Sequence, residues 1–122
     1  MLISFKDLEV WKKGVALVKV IYRITDQFPK SELYSLSSQM RRCAVSIPSN
    51  VAEGYKRRNR KEYIQFLGVA NGSAGELETQ IIIAEELYPG QDFREAKNLI
   101  EEIQKMLTVL MKKLGHGKIL ER

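Results

Sequence analysis

Apolar residues recur at intervals of three and four positions along most of this chain, which is the spacing of one face of an α-helix. The pattern breaks at Pro29, in the basic stretch after Gly54, and at Tyr88-Pro89-Gly90. It predicts four helices and a short tail, over residues 8–28, 33–57, 60–88, 92–114 and 115–122. Short connections make sequential helices antiparallel, so the predicted fold is all-α, a single domain forming an up-down-up-down four-helix bundle.

The expected helix ends follow from local chemistry. Asp7 can cap the first helix and Asn59 the third, and Gly115 is expected to end the fourth. Pro48 lies inside the second helix, where a proline removes one backbone hydrogen bond, so we expect a kink rather than two separate helices.

The middle of the third helix has the composition of a loop, Asn71-Gly72-Ser73-Ala74-Gly75. The apolar phase passes through this segment without slipping, which predicts a continuous helix. We interpret the small residues as a sign of close approach to the second helix, which carries a matching stretch at Ala44, Ser46, Ser49 and Ala52.

Two helices carry more apolar residues than one core requires. The predicted core stripe of the first helix consists of Leu8, Trp11, Val15, Val18 and Tyr22. A second apolar stripe lies beside it and consists of Val10, Leu17, Ile21, Ile24 and Phe28. The third helix adds Val69, Ile82 and Ile83 away from its core face. Such excess indicates self-association, and the alternative is wider burial within one chain.

Positive charge is concentrated in the first half of the chain. Residues 1–61 hold 13 Lys and Arg against 5 Asp and Glu, a net +8, whereas residues 62–122 hold 7 against 10, a net −3. This polarity indicates either an anionic partner or a charge-complementary contact between copies.

The densest basic stretch places five cations in six positions between the second and third helices, with two arginines about four turns earlier. These residues are Lys56, Arg57, Arg58, Arg60, Lys61, Arg41 and Arg42. Such side chains can bind nucleic-acid phosphates. A solvated turn beside a helix C-terminus explains them equally well, because the helix dipole favours cations there. Tyr55 and Tyr63 flank the stretch and either stack on bases or anchor packing.

A polar strip follows the second helix and faces polar residues of the third. We expect a hydrogen-bond network that sets helix register, made of Gln39, Ser46, Ser49, Asn50, Glu53, Ser73 and Glu76. A carboxylate metal site built on Glu53 and Glu76 is the distant alternative, because His116 is the single histidine and lies in the tail. No catalytic residues, metal, cofactor or small-molecule substrate are expected.

The remaining sequence features concern location. Cys43 is the single cysteine, so no internal disulfide can form. No secretion signal and no apolar run long enough to cross a bilayer are recognisable. A cytoplasmic protein without a membrane role is expected.

One run of residues resembles a known family. Ser46-Ile47-Pro48-Ser49-Asn50-Val51-Ala52-Glu53-Gly54, preceded by Gln39 and Arg42, is similar to the signature of the four-helix-bundle proteins encoded in intervening sequences of bacterial 23S ribosomal RNA genes. Flanking matches include Val10-Trp11, Phe28-Pro29 with Tyr34, and Glu76-Leu77-Glu78-Thr79-Gln80.

The resemblance implies a homopentameric four-helix bundle without established enzymatic activity. Members of the family are also similar in architecture to the basic accessory proteins of diversity-generating retroelements, which bind nucleic acid and a reverse transcriptase. Together with the basic half of the chain, this predicts a non-enzymatic, oligomeric protein that binds RNA or DNA. The alternative is a protein-interaction scaffold in which the basic turn contacts acidic residues such as Glu85, Glu86, Glu101 and Glu102.

Overall fold

The computed structural model describes residues 4–120, and the side chains of residues 4–115. Four helices make up the fold: α1 (Glu9–Thr25), α2 (Leu36–Tyr55), α3 (Arg60–Leu87) and α4 (Arg94–Leu120). Short 3₁₀ helices precede α1 at Phe5–Asp7 and α2 at Lys30–Glu32. Residues 4–120 contain no strand, so the predicted all-α class is confirmed.

Contacts between helices establish the antiparallel order. From the start of α1 to its end, the α4 partners run backwards, with Lys13 bound to Glu102 and Arg23 to Glu95. The same reversal relates α2 to α3 and α3 to α4. Each helix packs against its sequential neighbours and α1 packs against α4, while among the described residues no Cα atoms of diagonal helices lie within 8 Å of each other. This is the predicted up-down-up-down bundle.

The core is a single apolar cluster to which all four helices contribute. Its fully buried large side chains are Leu17, Ile21, Met40, Ile47, Leu67, Leu77, Ile81, Ile100, Ile103 and Leu107. Burying side chains of this size contributes about 1.5–3 kcal/mol each, which is the main stabilisation of such a bundle. None of the helices in the described part of the chain is long and apolar enough to cross a membrane.

The glycine-rich segment is helical, as predicted. α3 runs unbroken from Arg60 to Leu87, and no described glycine has a positive φ. The explanation we gave for its glycines is wrong, however. A Cβ added at Gly68, Gly72 or Gly75 would meet no atom within 4 Å, so these residues face open space.

α2 does approach this segment at Ser73, whose Oγ lies 2.8 Å from Ser46 Oγ, but the glycines in close contact with another helix lie elsewhere. At Gly54, an added Cβ would lie 2.9 Å from Phe66 Cβ on α3. Gly14 on α1 likewise faces Pro48, whose Cβ would lie 3.1 Å from an added Cβ. α2 continues through Pro48 as one helix, with the proline ring buried against α1.

The predicted assignment of the two stripes of α1 is wrong. The supposed surplus stripe, Val10, Leu17, Ile21, Ile24 and Phe28, is buried. In the supposed core stripe only Leu8 is buried, and Tyr22 is exposed. α1 lies between α2 and α4 and therefore buries a broad arc, so it supplies little apolar surface for another subunit.

Two predicted helix ends also differ. Asp7 lies within the first 3₁₀ helix, whose N-cap is Ser4, and Leu8 is the N-cap of α1 without a side-chain hydrogen bond. α4 continues past Gly115 to Leu120, because Gly115 lacks the left-handed conformation of a terminating glycine. The rest of the predicted tail, residues 121–122, lies outside the described residues.

Candidate nucleic-acid interface

The basic turn, Lys56–Lys61, joins the end of α2 to the start of α3. Its first two cations are held against the bundle. Lys56 Nζ lies 5.9 Å from the centroid of the Phe5 ring, and the Arg57 guanidinium lies 4.5 Å from that of Phe66. Arg57 also binds Glu53 at 2.7 Å. These two residues are therefore partly explained by packing and by the C-terminal dipole of α2.

The other three cations of the turn are exposed. Within the described residues, Arg58, Arg60 and Lys61 make no ion pair. Arg60 and Lys61 occupy the first turn of α3, where the helix dipole disfavours positive charge. The dipole explanation offered for the basic stretch thus fails for these two residues.

The start of α3 is capped as predicted. The Asn59 side chain accepts a hydrogen bond from the Glu62 backbone N–H at 2.9 Å and donates to Glu62 Oε2 at 3.0 Å. Glu62 is the nearest acidic residue along the chain, and Asn59 holds it. The turn keeps an excess of positive charge beside the free N–H groups of a helix start, an arrangement that attracts phosphate.

Arg41 and Arg42 form a separate basic site. Arg41 is half-buried: its Nε donates to Thr25 Oγ1 at 2.9 Å, and its guanidinium lies 4.7 Å from the centroid of the Tyr22 ring. Arg42 is exposed and, within the described residues, has no ion pair. Arg42 and Lys56 are fourteen positions apart along α2 and its C-cap, a distance of about 21 Å. The seven predicted phosphate-binding residues therefore lie at two places.

Three of the seven residues of the predicted polar network are joined by hydrogen bonds. Ser46 Oγ and Ser73 Oγ lie 2.8 Å apart across α2 and α3, and Asn50 Nδ2 donates to the Ser46 carbonyl at 2.8 Å. The other four members are exposed instead, because they lie on the outer sides of their helices: Gln39, Ser49, Glu53 and Glu76. The observed hydrogen-bond network is thus smaller than the predicted one.

Comparison with models of known protein families identifies the family of this chain. The family model described as 23S rRNA-intervening sequence protein matches residues 6–109. The chain belongs to this family. The resemblance seen in the sequence is thereby confirmed, and the matched range contains the basic turn, Arg41 and Arg42. No curated protein matches the chain.

Tyr55 and Tyr63 of this 23S rRNA-intervening sequence protein pack instead of facing solvent. Their ring centroids lie 6.1 Å apart in an edge-to-face arrangement, and both rings lie against the core. Burial raises the pKa of Tyr63. These two tyrosines anchor the turn and are not available for stacking on bases.

An exposed tyrosine to which we assigned no functional role from the sequence, although it matches the family, lies near the second basic site. Tyr34 is 93% exposed, and it precedes α2 by two residues. The prediction placed it inside the second helix, where a tyrosine is usually half-buried. Its position beside Arg42 follows only from the fold.

Cys43 is a buried residue without reactive character. Burial, followed by the charge of Glu76, raises the pKa of its thiol to about 12. The thiol lies 3.2 Å from the Ser73 carbonyl, to which it donates. In the described part of this family member, no three His, Cys, Asp or Glu residues are grouped so that they could hold a metal ion.

Proposed function

We propose that this 23S rRNA-intervening sequence protein is a non-enzymatic, homo-oligomeric accessory protein of the cytoplasm that binds the phosphate backbone of RNA or DNA. The proposed contacts are the basic turn, with Arg41 and Arg42 as a second site. The observation that carries the proposal is the pair Arg60 and Lys61, which are exposed in the first turn of α3. Cations there are disfavoured by the helix dipole unless an anion joins them.

The ion pairs made by cations outside the basic turn support the choice of the turn as the binding site. Several Lys and Arg elsewhere already have acidic partners, such as Lys97 with Glu85 at 3.0 Å and Lys105 with Glu101 at 3.1 Å. Their charge is largely neutralised locally. Other lysines that are unpaired in the described part of the chain, such as Lys19 and Lys30, are scattered. The turn instead holds three unpaired cations within four positions, a density of charge that releases counterions when it meets a phosphate.

Self-association is supported by the outer face of α3. Ile82, Ile83 and Leu87 lie within two turns of each other, and Val69 lies about 20 Å earlier on the same helix. These four side chains are each between 44% and 56% exposed. Apolar residues that cluster on a surface usually contact another molecule. The family resemblance favours five copies.

The scaffold alternative receives less support. It needs free acidic residues to meet the basic turn, but Glu85, Glu101 and Glu102 are bound to Lys97, Lys105 and Lys13 of the same chain. Of the four acidic residues named for this alternative, only Glu86 is exposed and makes no ion pair among the described residues. Surface pairs are weak and can exchange partners, so a test is still needed.

The test compares two variants that lose the same charge. One carries Arg58→Gln, Arg60→Gln and Lys61→Gln, and the control carries Arg94→Gln, Lys97→Gln and Lys105→Gln, whose parent residues are exposed and ion-paired. We expect the first variant to bind RNA and DNA more weakly, with a salt dependence flatter by about one unit of slope per lost phosphate contact.

The control variant should bind as the wild type does. Equal losses in the two variants would mean that only net charge matters. A change in assembly mass with unchanged nucleic-acid affinity would favour the scaffold instead.

A further inference from the structure

A surface hollow of ≈ 440 Å³ lies where the connection after α1 meets the first half of α2. Its walls combine aromatic, apolar and cationic side chains, namely Tyr22, Leu33, Tyr34, Arg41, Arg42 and Val45. All but Arg41 are exposed. A wall of this composition differs from the usual charged surface of a helical bundle. It is complementary to a partner that carries both flat apolar groups and negative charge.

Tyr34 is the most exposed of the aromatic and apolar side chains of the hollow, at 93%. Nothing in the core depends on its ring, because that ring is nearly fully in solvent. Leaving an aromatic ring in water forgoes the free energy that burial provides, so its position suits contact with a ligand. Aromatic rings of this kind are the surfaces on which unpaired bases stack.

Arg41 is already fixed in place. Thr25, Asp26 and the Tyr22 ring hold its guanidinium, with Asp26 Oδ1 at 3.8 Å. Asp26 offsets part of the charge of Arg41. The free positive charge of the hollow is therefore that of Arg42, which faces solvent one residue further along α2.

The hollow is connected to the basic turn along the outer side of α2. Positions spaced by three and four residues share one side of a helix. On this side Arg42 is followed by Val45, Ser49, Glu53 and Lys56. The Glu53 carboxylate is bound to Arg57 at 2.7 Å, so an extended anionic chain that follows this strip over about 21 Å meets one acidic residue, and that residue is already paired with a cation.

We infer that the nucleic acid bound by this protein is single-stranded, with its phosphates along the strip from Arg42 to Lys56 and one unpaired base stacked on Tyr34. The inference rests on the proposed function. In a duplex, the faces of paired bases are covered by their neighbours and cannot meet a tyrosine ring. The positive charge of the hollow disfavours an uncharged apolar partner.

The test measures binding by fluorescence anisotropy at low salt, using a single-stranded oligouridylate of about ten nucleotides, a length that single-strand-binding domains cover. A duplex of equal length is the comparison. We expect Tyr34→Ala to weaken single-strand binding about tenfold and to leave duplex binding unchanged. Tyr34→Phe should bind as the wild type does, because stacking needs the ring and not the hydroxyl.

Val109→Ala, which removes an exposed apolar side chain on α4, is the matched control and should change neither affinity. Wild type that binds neither nucleic acid would overturn the proposed function together with this inference. Wild type that binds while Tyr34→Ala binds equally well would overturn this inference alone. A Tyr34→Ala protein that changes its assembly mass, measured by light scattering, would identify the hollow as a subunit contact and would also overturn it.

Discussion

At the residue scale, Tyr88 ties the connection between α3 and α4 to the connection between α1 and α2. Its hydroxyl donates a hydrogen bond to Glu32, and its ring lies 4.8 Å from that of Phe28, measured between centroids. Phe93 packs against the same Phe28 ring. One aromatic cluster therefore holds two loops at this end of the bundle.

This contact predicts a dependence of stability on acid. Hydrogen bonds from Tyr88 and then Ser35 lower the pKa of Glu32 from 4.5. Because the folded-state pKa is the lower one, the stabilisation is present above 4.5 and is lost as the pH falls through the folded-state pKa. Tyr88→Phe keeps the ring but removes the donor, so its stability should change less with pH in this acid range.

Urea denaturation of wild type and Tyr88→Phe, at a series of pH values from about 7 to about 3, measures this difference. Asp92, whose pKa is lowered by Arg94, also titrates in the acid range but is unaffected by the substitution. Parallel pH curves for the two proteins would show that the Tyr88 hydroxyl has no such role.

At the element scale, the helical glycines have opposite surroundings. Gly54 lies where α2 meets α3, with Tyr63 O 3.1 Å from the position of an added Cβ. Gly72 lies in the middle of α3 with no atom within 4 Å of that position. The two positions separate the effect of crowding from that of helix propensity.

We expect Gly54→Ala to lower the free energy of unfolding by about 1–3 kcal/mol, because the neighbouring backbone must move. Gly72→Ala should raise it by about 0.5–1 kcal/mol, because alanine favours the helix and meets no obstacle. Urea denaturation of the two variants measures both values. A loss at Gly72 as large as that at Gly54 would mean that the outer face of α3 is packed against another backbone.

Periodicity was sufficient to predict the elements, because apolar spacing through Gly72 outweighed a loop-like composition. The core face of α1 could not be predicted in the same way. Both of its stripes have helical spacing, and the choice depends on the positions of α2 and α4. The end of α4 was misplaced because a glycine ends a helix only in a left-handed conformation, which Gly115 does not adopt.

The site was predictable in part. The basic residues are evident in the sequence. Which of them are held against the bundle and which are exposed is not evident, because contacts with residues distant along the chain hold Arg41 to Thr25 and Arg57 to Phe66. The exposure of Tyr34, which the sequence indicated only as a match to the family, could not be predicted for the same reason. Its exposure depends on where α2 begins, which local residues indicate only within a few positions.

At the scale of the whole molecule, charge and apolar surface lie on different parts of the bundle. The densest group of cations lies at the basic turn, with Arg42 further along α2, whereas the exposed apolar residues of α3 include Ile82 and Ile83. The proposed contacts with a nucleic acid and with a second copy therefore use different surfaces. A ring of copies would repeat the basic turn around its circumference and strengthen binding through multiple contacts.

The proposed assembly is tested by placing a charge on this face. Ile83→Glu should reduce the assembly mass measured by light scattering, because an unpaired carboxylate is costly to bury in a subunit contact. Val109→Glu, at a position of similar exposure on α4, is the control and should leave the mass unchanged. Wild type that has the mass of one 14.0 kDa chain at micromolar concentration would contradict self-association.

The most direct test of phosphate binding is a titration of wild-type protein, freed of copurified nucleic acid, with labelled RNA and DNA at increasing salt. We predict that the logarithm of the affinity falls linearly with the logarithm of salt concentration, with a slope between about −2 and −5. Absence of binding at about 50 mM salt, or an affinity that salt does not change, would contradict phosphate binding by the basic turn.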